Sequence, residues 1–409
     1  MRAGAGKVRI DLDGSLPFDG FDAELDSLWA RALIVEAGAR CCIVSVEATS
    51  LRTDMVEQLR AAASQEAECE LQLVWITVTH TFSSPHVRTP DHLASDDERE
   101  KNCALRLKLG DAVRTAVRKA AASLTEARLA YGVGSTACNV NRDVETSAGW
   151  WLGHNPEGYS DKSVQVICMR RVCDGGLIAA LFSADLQSSV LDKARDGRGD
   201  RVVSGDLAGR ACAVVEKSRP GCAVLFLTGA AADQAPVRQA VTIKVDAAGN
   251  VTRGDKGNGP AILDLWGERF GLELLDALGQ ADPLACDAVA GEVHTISLPG
   301  QERGEFHSLR PRRTYTFTPA GSREVHVNVL HLGGVTLVGT EPELSSGFGT
   351  KVRALAPRVV LATLVNGGMK YLPDEDAYDR ITYEAMNSSF GKGADAKLLQ
   401  AISSVIINK

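Results

Sequence analysis

The sequence lacks the segments that carry a chain into or across a membrane. Its 409 residues contain no run of eighteen apolar residues, so no membrane-spanning helix is expected. Residues 1–14 lack the apolar centre of a secretory signal, which favours a cytoplasmic protein. The ten cysteines form no CxxC pair, and several lie inside apolar runs where cysteine behaves as a small hydrophobic residue. Reduced thiols in a cytosol are therefore the simplest interpretation.

Basic stretches are also scarce. Lysine and arginine number 45 against 52 aspartate and glutamate, which gives a net charge of −7. Without a long basic stripe, nucleic acid is not expected as the main partner. The opening Gly4-Ala5-Gly6-Lys7 lacks the third glycine and the preceding strand of a dinucleotide-binding motif, so it predicts no nucleotide site.

What the chain does contain is a repeated alternation of apolar runs and helical patterns. The runs are rich in Val, Ile and Leu, as strands covered on both faces are, and occupy residues 32–35, 42–46, 71–79, 177–183, 223–228, 335–338 and 359–365. Helical periodicity marks residues 54–63, 100–124 and 394–407. Alternating patterns at 293–298 and 313–318 predict half-exposed antiparallel strands, and composition predicts loops at 194–200 and 254–259. The fold class predicted is α/β, with mixed sheets flanked by helices.

Polar residues collect where five of these apolar runs end. His80 follows the run at residues 71–79. The runs at 177–183, 223–228, 335–338 and 359–365 are followed by residues 185–189, 229–234, 339–343 and 366–371. Because open α/β sheets bind ligands beyond the carboxyl ends of their strands, these residues predict a metal or acid/base site.

Several of these motifs resemble those of the neutral/alkaline (non-lysosomal) ceramidases, in order along nearly the whole chain. The matching stretches are Leu28–Leu33 ("LYARAL"), Thr79–Thr81 ("THTH"), Asn139–Arg142 ("NRR"), Val203–Gly209 ("ISADYPG"), Gly229–Pro236 ("GAAGDQNP"), Val338–Glu341 ("PGE"), Lys370–Pro373 and Tyr383–Ala385 ("GYLP…YEA"). The resemblance predicts a single catalytic domain over residues 1–409, without the C-terminal β-sandwich that such ceramidases usually carry.

The resemblance also implies a metal centre. Ceramidases of this family hold zinc with two histidines, a glutamate and a tyrosine. Carried over by motif, the first histidine is His80, the glutamate Glu341 and the tyrosine Tyr371, while Asp185 stands where the second histidine is expected. One nitrogen and three oxygens form a harder donor set, so manganese or iron are alternatives to zinc. Two readings stay open: His86 bends in as the missing nitrogen ligand, or the metal site has decayed.

Two further departures change the chemistry that the resemblance implies. Phe82 replaces the second histidine of "THTH", and Ala235 replaces the serine often assigned as nucleophile. A serine-based route is therefore closed, whereas a water activated by a bound cation remains available.

The remaining candidates would handle substrate. Arg142 can anchor a carboxylate or carbonyl, or form a structural ion pair. Tyr383 matches a tyrosine expected to face the substrate carbonyl, and Asp233 is a candidate general base or helix cap. Trp150 and Trp151 lie on a Gly-flanked stretch that suits a loop over a pocket.

These features predict a metal-dependent hydrolase that cleaves an amide-type C–N bond of a small soluble metabolite. The catalytic residues expected are Asp185, Tyr383, Arg142 and Asp233. The alternatives are a biosynthetic acyl-transfer or ring-closing enzyme on the same scaffold, and a non-catalytic ligand-binding relative. Assembly into a homo-oligomer is left open.

Overall fold

The structure, a computed structural model, describes residues 1–90, 93 and 95–407. Its strands are β1 (Arg2–Ile10), β2 (Ala23–Glu24), β3 (Leu28–Ala37), β4 (Ala39–Val46), β5 (Val74–Val78), β6 (Thr125–Ser135), β7 (Asn139–Thr146), β8 (Gly149–Asn155), β9 (Ser163–Arg171), β10 (Leu177–Ala184), β11 (Val202–Val203), β12 (Ala223–Thr228), β13 (Gln234–Pro236), β14 (Val241–Val245), β15 (Val251–Asp255), β16 (Asp282–Leu284), β17 (Val289–Gln301), β18 (Pro319–Leu332), β19 (Val335–Thr340), β20 (Glu343–Leu344), β21 (Val359–Ala362) and β22 (Tyr371–Leu372).

Helices alternate with these strands, as the sequence predicts. They are α1 (Thr53–Ala67), α2 (Asp96–Ala122), α3 (Asp206–Ser218), α4 (Gly259–Gly279), α5 (Ser346–Arg353), α6 (Glu375–Arg380), α7 (Tyr383–Met386) and α8 (Ala394–Ile407). Within the described ranges, no helix is long and apolar enough to cross a membrane.

The largest sheet is mixed, which confirms the predicted fold class. Its strand order is β12-β10-β9-β6-β1-β3-β4-β5, with β16 paired to β6. The pairs β10–β12 and β4–β5 are parallel, and the other pairs are antiparallel. A second sheet, in the order β17-β18-β19-β21, has one parallel pair, β19–β21.

The two sheets share one apolar core. Leu33 and Trp75 of the large sheet belong to the same buried cluster as Leu330 and Leu337 of the second sheet. Helices cover the opposite faces: α1 and α2 pack on β3 and β4, α3 and α4 on β9, β10 and β12, and α5 and α8 on the second sheet. The continuously apolar strands are therefore buried on both faces, but one of those faces meets a sheet and not a helix.

The large sheet curls so that its two edge strands approach each other. The Ser45 hydroxyl donates a hydrogen bond to the carbonyl of Phe226, and the Thr228 hydroxyl donates to the carbonyl of Val78. Thr363, just after β21, donates its backbone N–H to the carbonyl of Thr228 at 2.7 Å. The ends of β5, β12 and β21 thus meet in one place, although they are far apart along the chain.

Two local predictions are wrong, and a third is correct only in part. Residues 313–318 are not a strand, because the partner of β17 begins at Pro319 and the Arg313 side chain instead donates to carbonyls of the turn between β7 and β8. The predicted loop at 254–259 is shorter than expected: residues 256–258 connect the two elements, because Gly254 and Asp255 end β15 and Gly259 begins α4. Trp150 and Trp151 lie on strand β8, not on a loop, and Trp151 is buried.

The glycines of the opening motif have a packing role. A Cβ atom on Gly6 would lie 2.1 Å from the carbonyl oxygen of Ala116, and one on Gly4 would lie 2.2 Å from that of Ala120. Helix α2 therefore crosses β1 at a distance that only glycine allows.

We expect Gly6→Ala to destabilise the protein by about 1–3 kcal/mol, because the helix backbone must move away. The matched control is Gly110→Ala, also in this layer, where a Cβ atom meets nothing within 4 Å. That change should stabilise the protein by about 1 kcal/mol through helix propensity. Denaturant unfolding measures both; equal effects of the two changes would contradict the close packing.

Candidate functional site

His80 is held in a fixed orientation at the end of β5. Its backbone is in the left-handed region, with φ of 57°, and its side chain is buried. Ring atom Nδ1 lies 2.5 Å from the carbonyl oxygen of Thr49. Because a carbonyl oxygen only accepts, Nδ1 must carry the proton, and in the neutral ring Nε2 presents its lone pair.

A second acceptor faces that lone pair. Oε2 of Glu343 lies 3.1 Å from Nε2 of His80, and both side chains are at least 95% buried. Neither atom has a hydrogen bond of acceptable geometry within the described ranges. Two buried acceptors at this distance require a cation, which is either a proton on Nε2 or a metal ion bound by both.

Electrostatics favours an ionised Glu343. Burial alone would raise the pKa of this carboxyl, but a protonated His80, with help from Lys370 and Arg142, holds the pKa below its ordinary value. Glu343 is therefore an anion at neutral pH.

Glu343 occupies the place that the sequence analysis predicted for Glu341. The Glu341 carboxylate instead accepts hydrogen bonds from the backbone N–H of His326, at 2.8 Å, and from its ring, at 3.1 Å. Glu343 lies two residues further on, in β20, where it pairs in register with Tyr371 of β22. Pro342 directly precedes Glu343, and this proline is the signal in the "PGE" match that could have identified it.

Tyr371 lies beside Arg142 in the same buried region. The guanidinium carbon of Arg142 is 5.5 Å from the centre of the Tyr371 ring. Burial and the charge of Glu343 raise the pKa of the Tyr371 phenol well above its ordinary value, against the opposing effect of Arg142. Without an added cation, this phenol stays protonated at neutral pH.

Arg142 is buried, and two side chains hold three of its five N–H groups. Its Nε and Nη2 atoms donate to Oε1 of Glu384 at 2.9 and 2.7 Å, and Nη1 donates to Oε1 of Gln187 at 2.9 Å. The structural ion pair considered for Arg142 is therefore present, and it holds the guanidinium next to Tyr371. Glu384 and Gln187 were not predicted as site residues; Glu384 lies within the "YEA" match, and the resemblance itself gave no signal for Gln187.

Tyr383 lies at the edge of this cluster. Its ring contacts those of Trp151 and Tyr371 edge-on, at centroid distances of 5.4 and 5.9 Å. Its hydroxyl accepts a hydrogen bond from Asn387 at 3.1 Å, and burial raises its pKa to about 12. The hydroxyl thus remains a neutral hydrogen-bond donor across the physiological range.

The structure does not place Asp185 with His80. Both Asp185 carboxylate oxygens accept from Arg353, at 3.1 and 2.7 Å, and they also accept from Ser346 and from the backbone N–H of Ala230. Four donors leave this carboxylate no free lone pair directed at His80. The residue after β10 that reaches the cluster is Gln187, two positions later.

Asp233 contacts Arg142 through the backbone: its carbonyl accepts the N–H of Arg142 at 2.8 Å. Its carboxylate accepts from the backbone N–H of Ser346 at 2.9 Å and from Asn141 at 3.1 Å. Burial raises the pKa of Asp233 to about 7. The group can therefore change protonation near neutral pH, as a general base must.

The other expectations concern His86, Phe82 and Ala235. His86 does not bend in as a ligand: its ring pairs with Asp19 at 2.6 Å, and its side chain is 47% exposed. The Phe82 ring lies edge-on against His80 with a centroid distance of 4.8 Å. Ala235 is buried in β13, opposite Val140 of β7, so this position offers only a methyl group.

These contacts decide which residues could hold a metal. Among the described residues, no group of three or more His, Cys, Asp or Glu side chains could do so. The two orphaned acceptors are Nε2 of His80 and Oε2 of Glu343, and Tyr371 is paired in register with Glu343. In a tetrahedral zinc site, nitrogen and oxygen ligands lie about 3.3 Å apart, close to the observed 3.1 Å. The spacing of this acceptor pair therefore fits zinc, and Asp185 is not part of the pair.

Comparison with solved structures identifies the fold. The neutral ceramidase from Pseudomonas aeruginosa superposes with a TM-score of 0.76 and 16% identity, over 98% of this chain and 73% of the other. A structure described as a ceramidase complexed with C2 gives 0.75 and 15%, over 98% and 74%. No protein-family model and no curated protein sequence matches the chain. The chain thus has a ceramidase-like fold.

The Asp185–Arg353 pair can be tested through stability. We expect Arg353→Met to destabilise the protein by about 3–5 kcal/mol, because it leaves a buried carboxylate without its cation. Arg198→Met removes an arginine whose side chain is 72% exposed and should change stability by less than about 0.5 kcal/mol. Denaturant unfolding with and without zinc measures both variants. A loss that zinc restores in Arg353→Met would show that Asp185 binds metal after all.

Proposed function

We propose that the chain is a metal-dependent hydrolase that cleaves an amide-type C–N bond of a small soluble metabolite. The observation that carries this proposal is the pair of buried acceptors, Nε2 of His80 and Oε2 of Glu343, 3.1 Å apart. The ceramidase-like fold supports the reaction class, because both similar structures are of ceramidases.

The proposed metal ligands are His80, Glu343 and Tyr371. Three protein ligands with one open position are typical of catalytic zinc, while fully closed sets are typical of structural zinc. A divalent cation there would polarise the substrate carbonyl and lower the pKa of water from about 15.7 to about 7. The hydrogen bond from Nδ1 of His80 to Thr49 fits this role, because metal-binding histidines donate their other N–H in this way.

The chain's own residues would orient the substrate. Arg142 lies beside Tyr371 with its guanidinium fixed by Glu384 and Gln187, so it stabilises negative charge on the substrate without reorganising. The neutral Tyr383 hydroxyl can donate to a carbonyl oxygen that becomes negative. Asp233 can accept a proton from the attacking group. Ala235 supplies no nucleophile, so water is the proposed attacking group.

A non-catalytic ligand-binding role is the second candidate. One observation favours it: a single proton on Nε2 would satisfy His80 and Glu343 as an ion pair, with no metal. The two candidates differ in what lies between these atoms, and metal binding separates them.

We expect purified protein to bind about one equivalent of zinc, manganese or iron, and His80→Ala and Glu343→Ala to weaken this binding about 100-fold or more. The matched control is Glu341→Ala, which should bind metal like wild type because Glu341 is engaged with His326. Elemental analysis and titration of the apo-protein measure this. Metal loss in Glu341→Ala but not in Glu343→Ala would reverse the assignment; no binding by wild type would favour the second candidate.

Activity is tested with the same proteins on small N-acyl amines and amino-acid amides. Hydrolysis should follow metal occupancy across the variants. Product analysis with and without added amine separates hydrolysis from acyl transfer, since transfer yields a new amide only when amine is present.

The proposed base predicts a pH profile. Because the pKa of Asp233 is about 7, kcat/KM should rise with pH below about 7 and level off above it, as the carboxyl loses its proton. Asp233→Asn should lower kcat about 10²–10⁴-fold and remove this inflection. The control is Asp246→Asn, which replaces an exposed carboxyl. An unchanged profile in Asp233→Asn would exclude it as the base.

A further inference from the structure

Only one of the two Glu384 carboxylate oxygens accepts a hydrogen bond. Its Oε1 accepts both hydrogen bonds from Arg142, whereas no N–H or O–H group of the described residues donates to Oε2. Glu384 is 2% exposed, so water does not compensate at its surface. An unsatisfied buried acceptor of this kind costs about 1–3 kcal/mol or more, and it therefore calls for a donor.

The neighbouring side chain is another carboxyl. Asp143, the residue after Arg142, is 3% exposed, and its carboxyl lies close enough to that of Glu384 for a hydrogen bond to form if one of the two is protonated. Two ionised carboxylates only accept, so this hydrogen bond exists only if one of them is protonated. The nearest cation to Asp143 is Arg380, whose Nη1 is 3.7 Å from Oδ2, beyond hydrogen-bond distance. Burial, Glu384 and Asp233 raise the pKa of Asp143 well above its ordinary value.

We propose that Asp143 and Glu384 share one proton, and that Asp143 is a positioning residue that holds Glu384 so that Glu384 fixes Arg142 beside Tyr371. The shared proton supplies the donor that Oε2 of Glu384 lacks. Asp143 thus acts on Arg142 through Glu384. The catalytic consequence rests on the proposed function, but the shared proton does not.

The pair is surrounded by charged and titratable groups on several elements. Those that act on its two carboxyls are Arg142 on β7, Arg380 on α6, Asp233 before β13, Tyr371 on β22 and Tyr383 on α7. Two arginines face three carboxyls, so the cluster carries excess negative charge unless it retains a proton.

A shared proton has a definite thermodynamic signature. A carboxyl whose folded-state pKa is raised binds more protons in the folded than in the unfolded chain. Its stabilising effect is complete below the unfolded pKa of about 4 and is lost as the pH rises towards the folded pKa. Asp143→Asn keeps a hydrogen-bond donor towards Glu384 but takes up no proton, so it lacks this dependence.

The experiment measures unfolding constants of wild type, Asp143→Asn and the control Asp379→Asn by denaturant titration between pH 5 and pH 9. The wild-type constant, divided by that of Asp143→Asn, should rise about tenfold per pH unit until the pair titrates. The wild-type constant divided by that of Asp379→Asn should not change with pH, because the Asp379 side chain is 67% exposed. A ratio for Asp143→Asn that is independent of pH would overturn the shared proton.

Two more variants keep the proposal testable if Asp143→Asn does not fold. Glu384→Gln can accept from Arg142 with its oxygen and donate to Asp143 with its nitrogen, so it should remove the same pH dependence. Asp143→Leu offers no donor, and its unfolding constant should exceed that of Asp143→Asn about tenfold at pH 7.

The positioning role is read from kinetics. Asp143→Leu should raise KM for an amide substrate about tenfold, because Arg142 loses its orientation, whereas Asp143→Asn should restore wild-type KM. Equal KM values in both variants would overturn the positioning role. If wild type hydrolyses no amide, the proposed function fails, while the stability ratio still decides whether the proton is shared.

Discussion

The site depends on one constraint: two buried acceptors, one just after β5 and one on β20, face each other and require a cation. His80 cannot turn its protonated Nδ1 towards Glu343, because Nδ1 donates a hydrogen bond to the carbonyl of Thr49. Glu343 cannot turn away into water, because its side chain is 4% exposed. The curled sheet brings the end of β5 against the elements that follow β19 and β21, and this places the two acceptors close together. The fold therefore concentrates negative potential at a point that only a proton or a metal ion can neutralise.

Around this point, arginines bind several of the buried carboxylates. Asp185 is neutralised by Arg353, and Glu384 is bound to Arg142. A similar buried network lies beneath the large sheet, where Arg31 bonds to both Glu47 and Glu216. Buried ions of this kind are costly when one partner is removed, which fixes the position of each side chain. In the His80–Glu343 pair, by contrast with these arginine–carboxylate pairs, both facing atoms are acceptors.

Sequence patterns predicted the elements that are buried on both faces. Strand β12 and helix α8 have the predicted bounds, because continuous apolar runs and helical periodicity are strong local signals. Strands β6 to β9 were not predicted, since glycines and polar residues interrupt their apolar pattern and their pairing is decided by distant partners. The fold class, by contrast, follows from the alternation of elements and from motif order, and both survive such local errors.

The site was predicted by region but not by residue. Glu343 lies two positions after the predicted Glu341, and Gln187 two positions after the predicted Asp185. In extended chain, residues two apart point to the same side, so a motif match cannot decide between them. The decision comes from tertiary partners: His326 engages Glu341, and Arg353 engages Asp185. Neither partner has a sequence signal that links it to these acids.

The most direct test of this account is a crystal structure of the protein soaked with zinc, with anomalous diffraction recorded on both sides of the zinc absorption edge. The account predicts a single strong anomalous peak about 2 Å from both Nε2 of His80 and Oε2 of Glu343. Direct contact between these two atoms at saturating zinc, with no anomalous peak between them, would contradict it and leave a proton as the only cation at the site.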